Sequence, residues 1–487
     1  MLSQSRIKDL NVLYQICITN TTTYTELNKI TQIPIRTLKK IIDRLNTSID
    51  DLFFLKDYIN VSTKGEISIK PTEKINSFEI LFRLRLHWYK TNQSFQLISL
   101  VLSERNLSKS KIIEKLFISE TTLQRLLFKL NIYLKPFDFA LAYKDGFLNF
   151  SGNEINIRLF LFQLNFFTYF NLEWPSSLST IDSLEEDLVI FLEDFPTTQT
   201  DVKLRGALIW VALLKQRFQQ NNFLIPNTNP EIKTILHEFK ELNKLQSFNN
   251  LFFETIPPQE KITEELLLEF LVRIYVPDID SCKEKEQLGR KFTNLNNTLT
   301  NSATRIIKAL DKSLLIDAFD QSIYLRIFHL VFFMLINKVI GKSMMPLLYM
   351  HFPIPKYHLN TNNSLMDKIK ASVTETENHS EISVNLISSY LYSLYLPHRP
   401  KSISIYLSFS KDPSAPYFVR NRIYEVYNPQ YIDFTNTAKD ADLIISDQID
   451  PSLDFNHFFY LSHTNNDTSW KTLLANIQEL LSDKLLK

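Results

Sequence analysis

The chain has 487 residues, of which 6 are Gly and 2 are Cys, with 44% hydrophobic and 22% charged residues and a formal net charge of +1. That length is too great for one core and, at roughly 100–200 residues per domain, predicts three to five domains; so few glycines disfavour nucleotide enzymes, whose phosphate loops need Gly at fixed offsets, and Cys17 and Cys282 lie too far apart for a metal or redox motif. The small net charge hides a split: residues 1–158 hold 23 Lys and Arg against 15 Asp and Glu, a net +8, and the remainder is net −7, so the basic first third is expected to meet a polyanion.

Met1–Arg6 leads into a charged amphipathic stretch without the apolar core of an export signal, which predicts a cytoplasmic protein. An opening helix over Ile7–Thr19 is followed at residues 24–46 by a helix-turn-helix pattern. Leu27 and Ile30 stripe one helix, Ile33 plugs a turn, and Leu38, Ile41, Ile42 and Leu45 stripe the next. Pro34 stands at the start of that second helix, where its missing N–H costs nothing. Tyr58–Lys70 then alternates around Lys64-Gly65 as a hairpin wing. The same plan returns at an offset of 85, which aligns Ile33 with Ile118, Leu38 with Leu123, Ile41 with Leu126, Leu45 with Leu130 and Asn46 with Asn131. A second hairpin around Lys144-Asp145-Gly146 stands where its wing belongs, and the preceding helices align less well, because Leu27/Ile30 and Ile112/Leu116 differ in spacing. A linking helix with Arg83, Arg85 and His87 on its polar side joins the units.

A helix fits the major groove, where Arg and Lys read guanine and Gln reads adenine while flanking cations neutralise phosphates. The DNA-binding candidates are Arg36, Thr37, Lys39, Lys40, Arg44 and the wing residue Lys64 in the first unit, and Thr121, Thr122, Gln124, Arg125 and Lys129 in the second. The plainer alternative is a pair of trihelical interaction modules with solvated basic faces.

From residue 159 to 396 the pattern is helical, including Leu178–Phe195, Leu204–Asn221, Glu231–Leu245, Phe292–Leu310, Ile323–Ile340, Leu365–Thr374 and Ile382–Leu396. A polar linker over Asp278–Arg290 separates two expected bundles, residues 159–287 and 288–396. The apolar runs Ile157–Phe170 and Ile323–Ile340 contain Arg158, Gln163 and Asn165, and Arg326, His329, Asn337 and Lys338, which favours buried helices over membrane spans. Gly341-Lys342-Ser343 has Ile336 where a phosphate loop requires Gly. His237 and His329 are candidate phosphoryl acceptors, against the alternative of hydrogen-bonded core or interface histidines; the string after His237 lacks the second His of a zinc protease helix, and no metal or cofactor is expected. Past Pro400, strands at Ile403–Phe409, Tyr431–Phe434, Asp442–Ser446 and Phe458–Ser462 and helices at Tyr417–Tyr427 and Thr472–Leu485 predict a small α/β domain, whose first strand ends in Ser408–Pro413 without Cys.

This order of parts, with the strings Thr25-Glu-Leu27, Ile33-Pro-Ile-Arg-Thr-Leu-Lys-Lys-Ile-Ile-Asp-Arg-Leu-Asn46 and Ser119-Glu-Thr-Thr-Leu-Gln-Arg-Leu-Leu-Phe-Lys-Leu-Asn131, resembles the Mga/AtxA-type family of Gram-positive transcriptional regulators. The resemblance implies a mainly α, multidomain chain: winged helix-turn-helix domains at 1–73 and 74–158, helical bundles like the phosphotransferase-system regulation domains (PRDs) at 159–287 and 288–396, and an EIIB-like α/β domain at 397–487. It implies a non-enzymatic, global or virulence regulator that binds double-stranded DNA, forms a homodimer or higher homo-oligomer, and is tuned by phosphotransferase proteins such as HPr. Paired histidines common in such bundles are missing from the first, which has only His237, and the tail lacks the phosphorylatable Cys. The alternatives are a PRD-containing antiterminator that binds RNA, which would usually begin with a β-rich module, and a phosphotransferase component.

Overall fold

The computed structural model describes residues 2–19, 21–63, 65–70, 76–169, 172–179, 201–224, 229–246, 256–275, 279–313, 322–341, 364–374, 381–395, 403–409, 414–438, 441–447, 458–461 and 467–486. These residues are mainly helical with three small sheets. The chain divides into two compact units, residues 1–300 with 331–354 and residues 301–330 with 355–487. Lys64, most of the expected helix Leu178–Phe195 and the segment 410–413 after the first C-terminal strand lie outside the described residues.

The first unit opens with α1 (Gln4–Thr19), β1 (Thr21–Thr23), α2 (Tyr24–Thr31), α3 (Ile35–Phe53), β2 (Ile59–Val61) and β3 (Glu66–Ile69). Thr23 starts α2 with a capping box: its hydroxyl accepts from the Glu26 N–H while the Glu26 carboxylate accepts from the Thr23 N–H. The spacing of Leu38, Ile41, Ile42, Leu45 and Ile49 turns one face of α3 onto Val12, Leu13 and Ile16 of α1 in a single core. The wing is a three-stranded antiparallel sheet of order β1-β3-β2. Its outer strand β1 is three threonines, which favour extended backbone but are too few to show an alternating pattern.

The linking helix α4 (Ser77–Lys90) adds Leu81, Leu84 and Trp88 to this core. Arg83 and His87 face solvent as expected, but Arg85 does not. It is 6% exposed, donates to the Phe167 carbonyl, and its pKa is pushed down to about 10 by burial.

A second copy of the plan follows as α5 (Gln93–Ser103), α6 (Lys109–Leu116), α7 (Glu120–Leu134), β4 (Phe139–Lys144) and β5 (Phe147–Gly152). Asp145 and Gly146 both take positive φ, 53° and 82°, which makes the hairpin tip a two-residue turn matched to strand twist. The offset of 85 proves to extend further than the turn. Val12, Leu13, Ile16 and Cys17 of α1 correspond to Leu97, Ile98, Val101 and Leu102 of α5, and all eight are buried. The helices before the turns also align: Leu27 corresponds to Ile112, both fully buried, while Ile30 is half exposed and was never the partner of Leu116.

Then come α8 (Glu154–Tyr169), α9 (Asp201–Gln219), α10 (Pro230–Lys240), α11 (Pro258–Tyr275), α12 (Cys282–Asn294), α13 (Thr298–Ser313) and α14 (Ser322–Ile340). The expected linker Asp278–Arg290 is largely α12. Ser281 and Glu284 close a capping box, and Leu288, Gly289 and Phe292 are buried, with the Phe292 ring 5.8 Å from Phe239. Its polar composition reflects a helix that needs only one narrow apolar face. Within α14, Ser322–Val339 is long and apolar enough to cross a membrane by length and composition, but 44% of it is buried in the protein.

The second unit takes in most of α13 and the first half of α14, followed by α15 (Ser364–Thr374), α16 (Glu381–Tyr395), β6 (Ile403–Ser408), α17 (Ala415–Val426), β7 (Ile432–Thr435), β8 (Leu443–Ser446), β9 (Phe458–Tyr460) and α18 (Asp467–Leu486). The four strands are all parallel in the order β7-β6-β8-β9, covered by Val419 and Ile423 of α17 and Trp470, Leu473 and Ile477 of α18. The order of strands and helices expected past residue 400 is the one observed.

Candidate nucleic-acid interface

In each winged unit the turn is set by local chemistry. The residue ending the first helix, Gln32 or Phe117, adopts a left-handed conformation, and the next helix starts at Pro34 or Ser119. The Ser119 hydroxyl accepts from the Thr122 N–H at 3.2 Å and lies 2.9 Å from the hydroxyls of both Thr121 and Thr122.

The helices α3 and α7 are then fixed to their wings by one repeated device. Asn46 donates to the Ile59 carbonyl at 2.9 Å and accepts from the Ile59 N–H at 2.8 Å; Asn131 makes the same pair of bonds, 2.9 and 2.8 Å, with Leu141. The alignment of these two asparagines at offset 85 was the visible trace of this clamp. It joins each candidate reading helix to the first strand of its hairpin, so the two surfaces keep one relative orientation.

On α3 the outward side chains are Arg36, Thr37, Lys39 and Lys40, all exposed. Lys39 lies 5.7 Å from the Tyr24 ring centre. Arg44 has a structural task invisible in the sequence: its guanidinium bonds both oxygens of Asp9, at 2.5 and 3.2 Å, and Asp9 is 1% exposed, so this ion pair fastens α3 to α1. On α7 the outward side chains are Thr121, Gln124, Arg125 and Lys129, with Thr122 half-buried in the cap. Gln124 donates to Glu120 at 3.4 Å. The cations of α6 are engaged within their own unit, Lys109 by Glu120 and Lys111 and Lys115 by Glu104. Partial burial raises Glu104, but its two lysines outweigh this and hold it below the usual carboxylate range. Among the described residues, Arg36, Lys40, Arg125 and Lys129 have no acidic partner and so present uncompensated charge.

Two features of α7 escaped the sequence. Phe128 is 68% exposed and Ile132 is 60% exposed, although apolar residues on a helix ordinarily signal core. Only the register of the buried stripe, Leu123, Leu126, Leu130 and Leu134, shows that both face away from it.

The histidines sit apart from these helices in the chain. His237 is exposed in the last turn of α10. His329, in α14, is half-buried with its ring edge-on to Phe328 at 5.0 Å. It stands one turn from Arg326, which pairs with Asp311 at 2.8 Å, and Tyr395 donates to the same Asp311 at 2.7 Å.

The family model of the Mga helix-turn-helix domain matches residues 80–165, which hold most of α4, the whole second winged unit and most of α8. No curated protein matches the chain.

Proposed function

We propose, from the premise that the chain belongs to the Mga-type regulator family through residues 80–165, that it is a cytoplasmic transcriptional regulator holding duplex DNA with both winged units. The observation that carries this reading is the duplication itself: two helices, each clamped to a wing by an Asn, each turning outward cations that have no acidic partner among the described residues. Such a surface neutralises phosphates along one duplex at two places, and two units per chain, doubled in a homodimer or larger homo-oligomer, cover a long site. Arg36, Thr37, Lys39 and Lys40 act on the first segment, and Thr121, Gln124, Arg125 and Lys129 on the second. The remainder serves regulation: PRD-like bundles between about residues 159 and 396 take a phosphoryl group from phosphotransferase proteins such as HPr on His237 or His329, and an EIIB-like tail supports self-association. The role is that of a global or virulence regulator, and no chemistry on a substrate is assigned to the chain.

The test compares a labelled duplex and a hairpin RNA of equal length by fluorescence anisotropy over a salt series. The chain is expected to prefer the duplex. Lys39→Ala with Lys40→Ala should weaken binding and reduce the slope of log affinity against log salt by ~2, since each lost phosphate contact removes roughly 0.9. Arg44 is left intact in this test because of its bond to Asp9. A preference for the hairpin RNA would favour the antiterminator reading, and an unchanged salt slope would remove α3 from the interface.

A further inference from the structure

The two reading helices are built alike but chemically unlike. At the offset of 85, Arg36, Lys39, Lys40 and Asp43 of α3 stand where α7 has Thr121, Gln124, Arg125 and Phe128, and Thr47 stands where α7 has Ile132. On α3 the corresponding positions are all polar, and its exposed apolar residue, Ile35 at 41%, stands at the helix start. On α7, Thr121, Arg125, Phe128 and Ile132 follow one another at i, i+4, i+7 and i+11, the line opposite the buried leucines, with Gln124 beside them on the preceding turn. An aromatic ring 68% open to water on a helix that buries four leucines contributes nothing to that core. It is flanked by Arg125 and Lys129, which have no acidic partner among the described residues, so the crest runs from polar and cationic at Thr121 and Arg125 to apolar at Phe128 and Ile132.

That combination matches an A·T step in the major groove, where adenine offers N7 and N6 to a carboxamide and thymine offers a C5 methyl to an apolar group. We propose that α7 is the base-selective helix of the pair, with Gln124 pairing adenine and Phe128 packing on a thymine methyl, while α3 supplies mainly phosphate contacts. This rests on the duplex-binding reading above. Phe128 is a specificity residue here, and Ile132, one turn on, extends the apolar line toward the groove edge. The charge beside the ring suits the phosphates that border a groove.

The probe is a duplex recovered by the wild-type chain from a randomised pool, made once with thymine and once with deoxyuridine, which differs only by the missing methyl. The wild-type chain is expected to bind the deoxyuridine duplex about fivefold to tenfold more weakly, the scale of one good base contact. Phe128→Ala should lose a similar factor on the thymine duplex and bind both forms equally. Gln124→Ala should keep the thymine preference but relax selection for adenine at one position. Recovery of no duplex by the wild-type chain would overturn the duplex-binding reading itself. Duplex binding with equal affinity for both forms, or a Phe128→Ala chain that still distinguishes them, would overturn only the role of Phe128. A change in sedimentation of Phe128→Ala without DNA would do the same by making the ring a contact between protein copies.

Discussion

A buried backbone N–H and C=O need partners, and at the junction of helix and wing those partners are the two ends of one carboxamide. Asn131 satisfies both polar groups of Leu141, which is 3% exposed, and Asn46 does the same for Ile59, which is 2% exposed. No other side chain of that length offers donor and acceptor at once. Asn131→Ala leaves both Leu141 groups unpaired and is expected to cost about 1–3 kcal/mol. Asn131→Asp should cost more than its shape suggests, because a carboxylate would face the Leu141 carbonyl without a proton to give. Amide hydrogen exchange over β4 and β5 is the measurement. It should accelerate in both variants, while amides of β2 and β3 keep their wild-type rates if the two clamps are independent.

At the scale of elements, α12 shows how a cap can turn a polar stretch into a helix and give it a pH response. Partial burial raises Glu284, but hydrogen bonds from Lys244, the Ser281 N–H and the Ser281 hydroxyl outweigh this and bring it down to about 2. A carboxylate depressed in the folded state stabilises above its unfolded value, near ~4.3, and the contribution fades as pH falls through the folded one. Glu284→Gln is therefore expected to lower stability by about 1 kcal/mol at neutral pH, the scale of a helix cap, and to narrow its gap to wild type between about pH 4 and pH 2. Urea unfolding at pH 7 and at pH 3 measures both. The same helix shows what sequence patterns conceal. The winged units and the succession of strands and helices past residue 400 were legible because their signals are local: apolar spacing, Gly at the tips, a repeat offset. The helix α12 was read as a linker because Leu288 and Phe292 are a thin stripe in a charged background. Strand β1 was missed because three threonines, though β-branched, are too short a run to show alternation, and their partner β3 lies more than forty residues on. At the candidate site, helical periodicity placed Arg36, Lys39 and Arg125 on exposed faces, but it could not reveal that Arg44 is bound to Asp9, 35 residues earlier.

At the scale of the whole molecule, the basic first third has to be joined to the acidic remainder, and α8 does this with charge placed inside the protein. Arg158, 1% exposed, bonds both oxygens of Glu264 in α11 at 2.6 and 2.9 Å and Glu154 at 2.9 Å; Arg217 of α9 bonds both oxygens of Glu154 at 2.9 and 2.7 Å. The Arg158 and Asn222 link, at 2.8 Å, and the bond from the Leu224 N–H to Glu264, also 2.8 Å, leave this cluster fully engaged. Burial alone would lower Arg158, yet Glu264 and Glu154 together raise it, so it stays charged. The residues that span the second winged unit thus meet α9 and α11 through two cations and two anions, a neutral set. Such a set stabilises little over apolar packing but penalises any change that unbalances it. Glu264→Ala is expected to destabilise the chain by about 3–5 kcal/mol, because one guanidinium is left buried in excess. Arg158→Met combined with Glu264→Leu should cost far less, since Arg217 and Glu154 remain as a balanced pair. Urea unfolding of the two single variants and the double variant decides this. Equal costs for the double variant and for the sum of the singles would show that the charges act independently and that neutrality of the cluster is not what holds α8 to the helices beyond it.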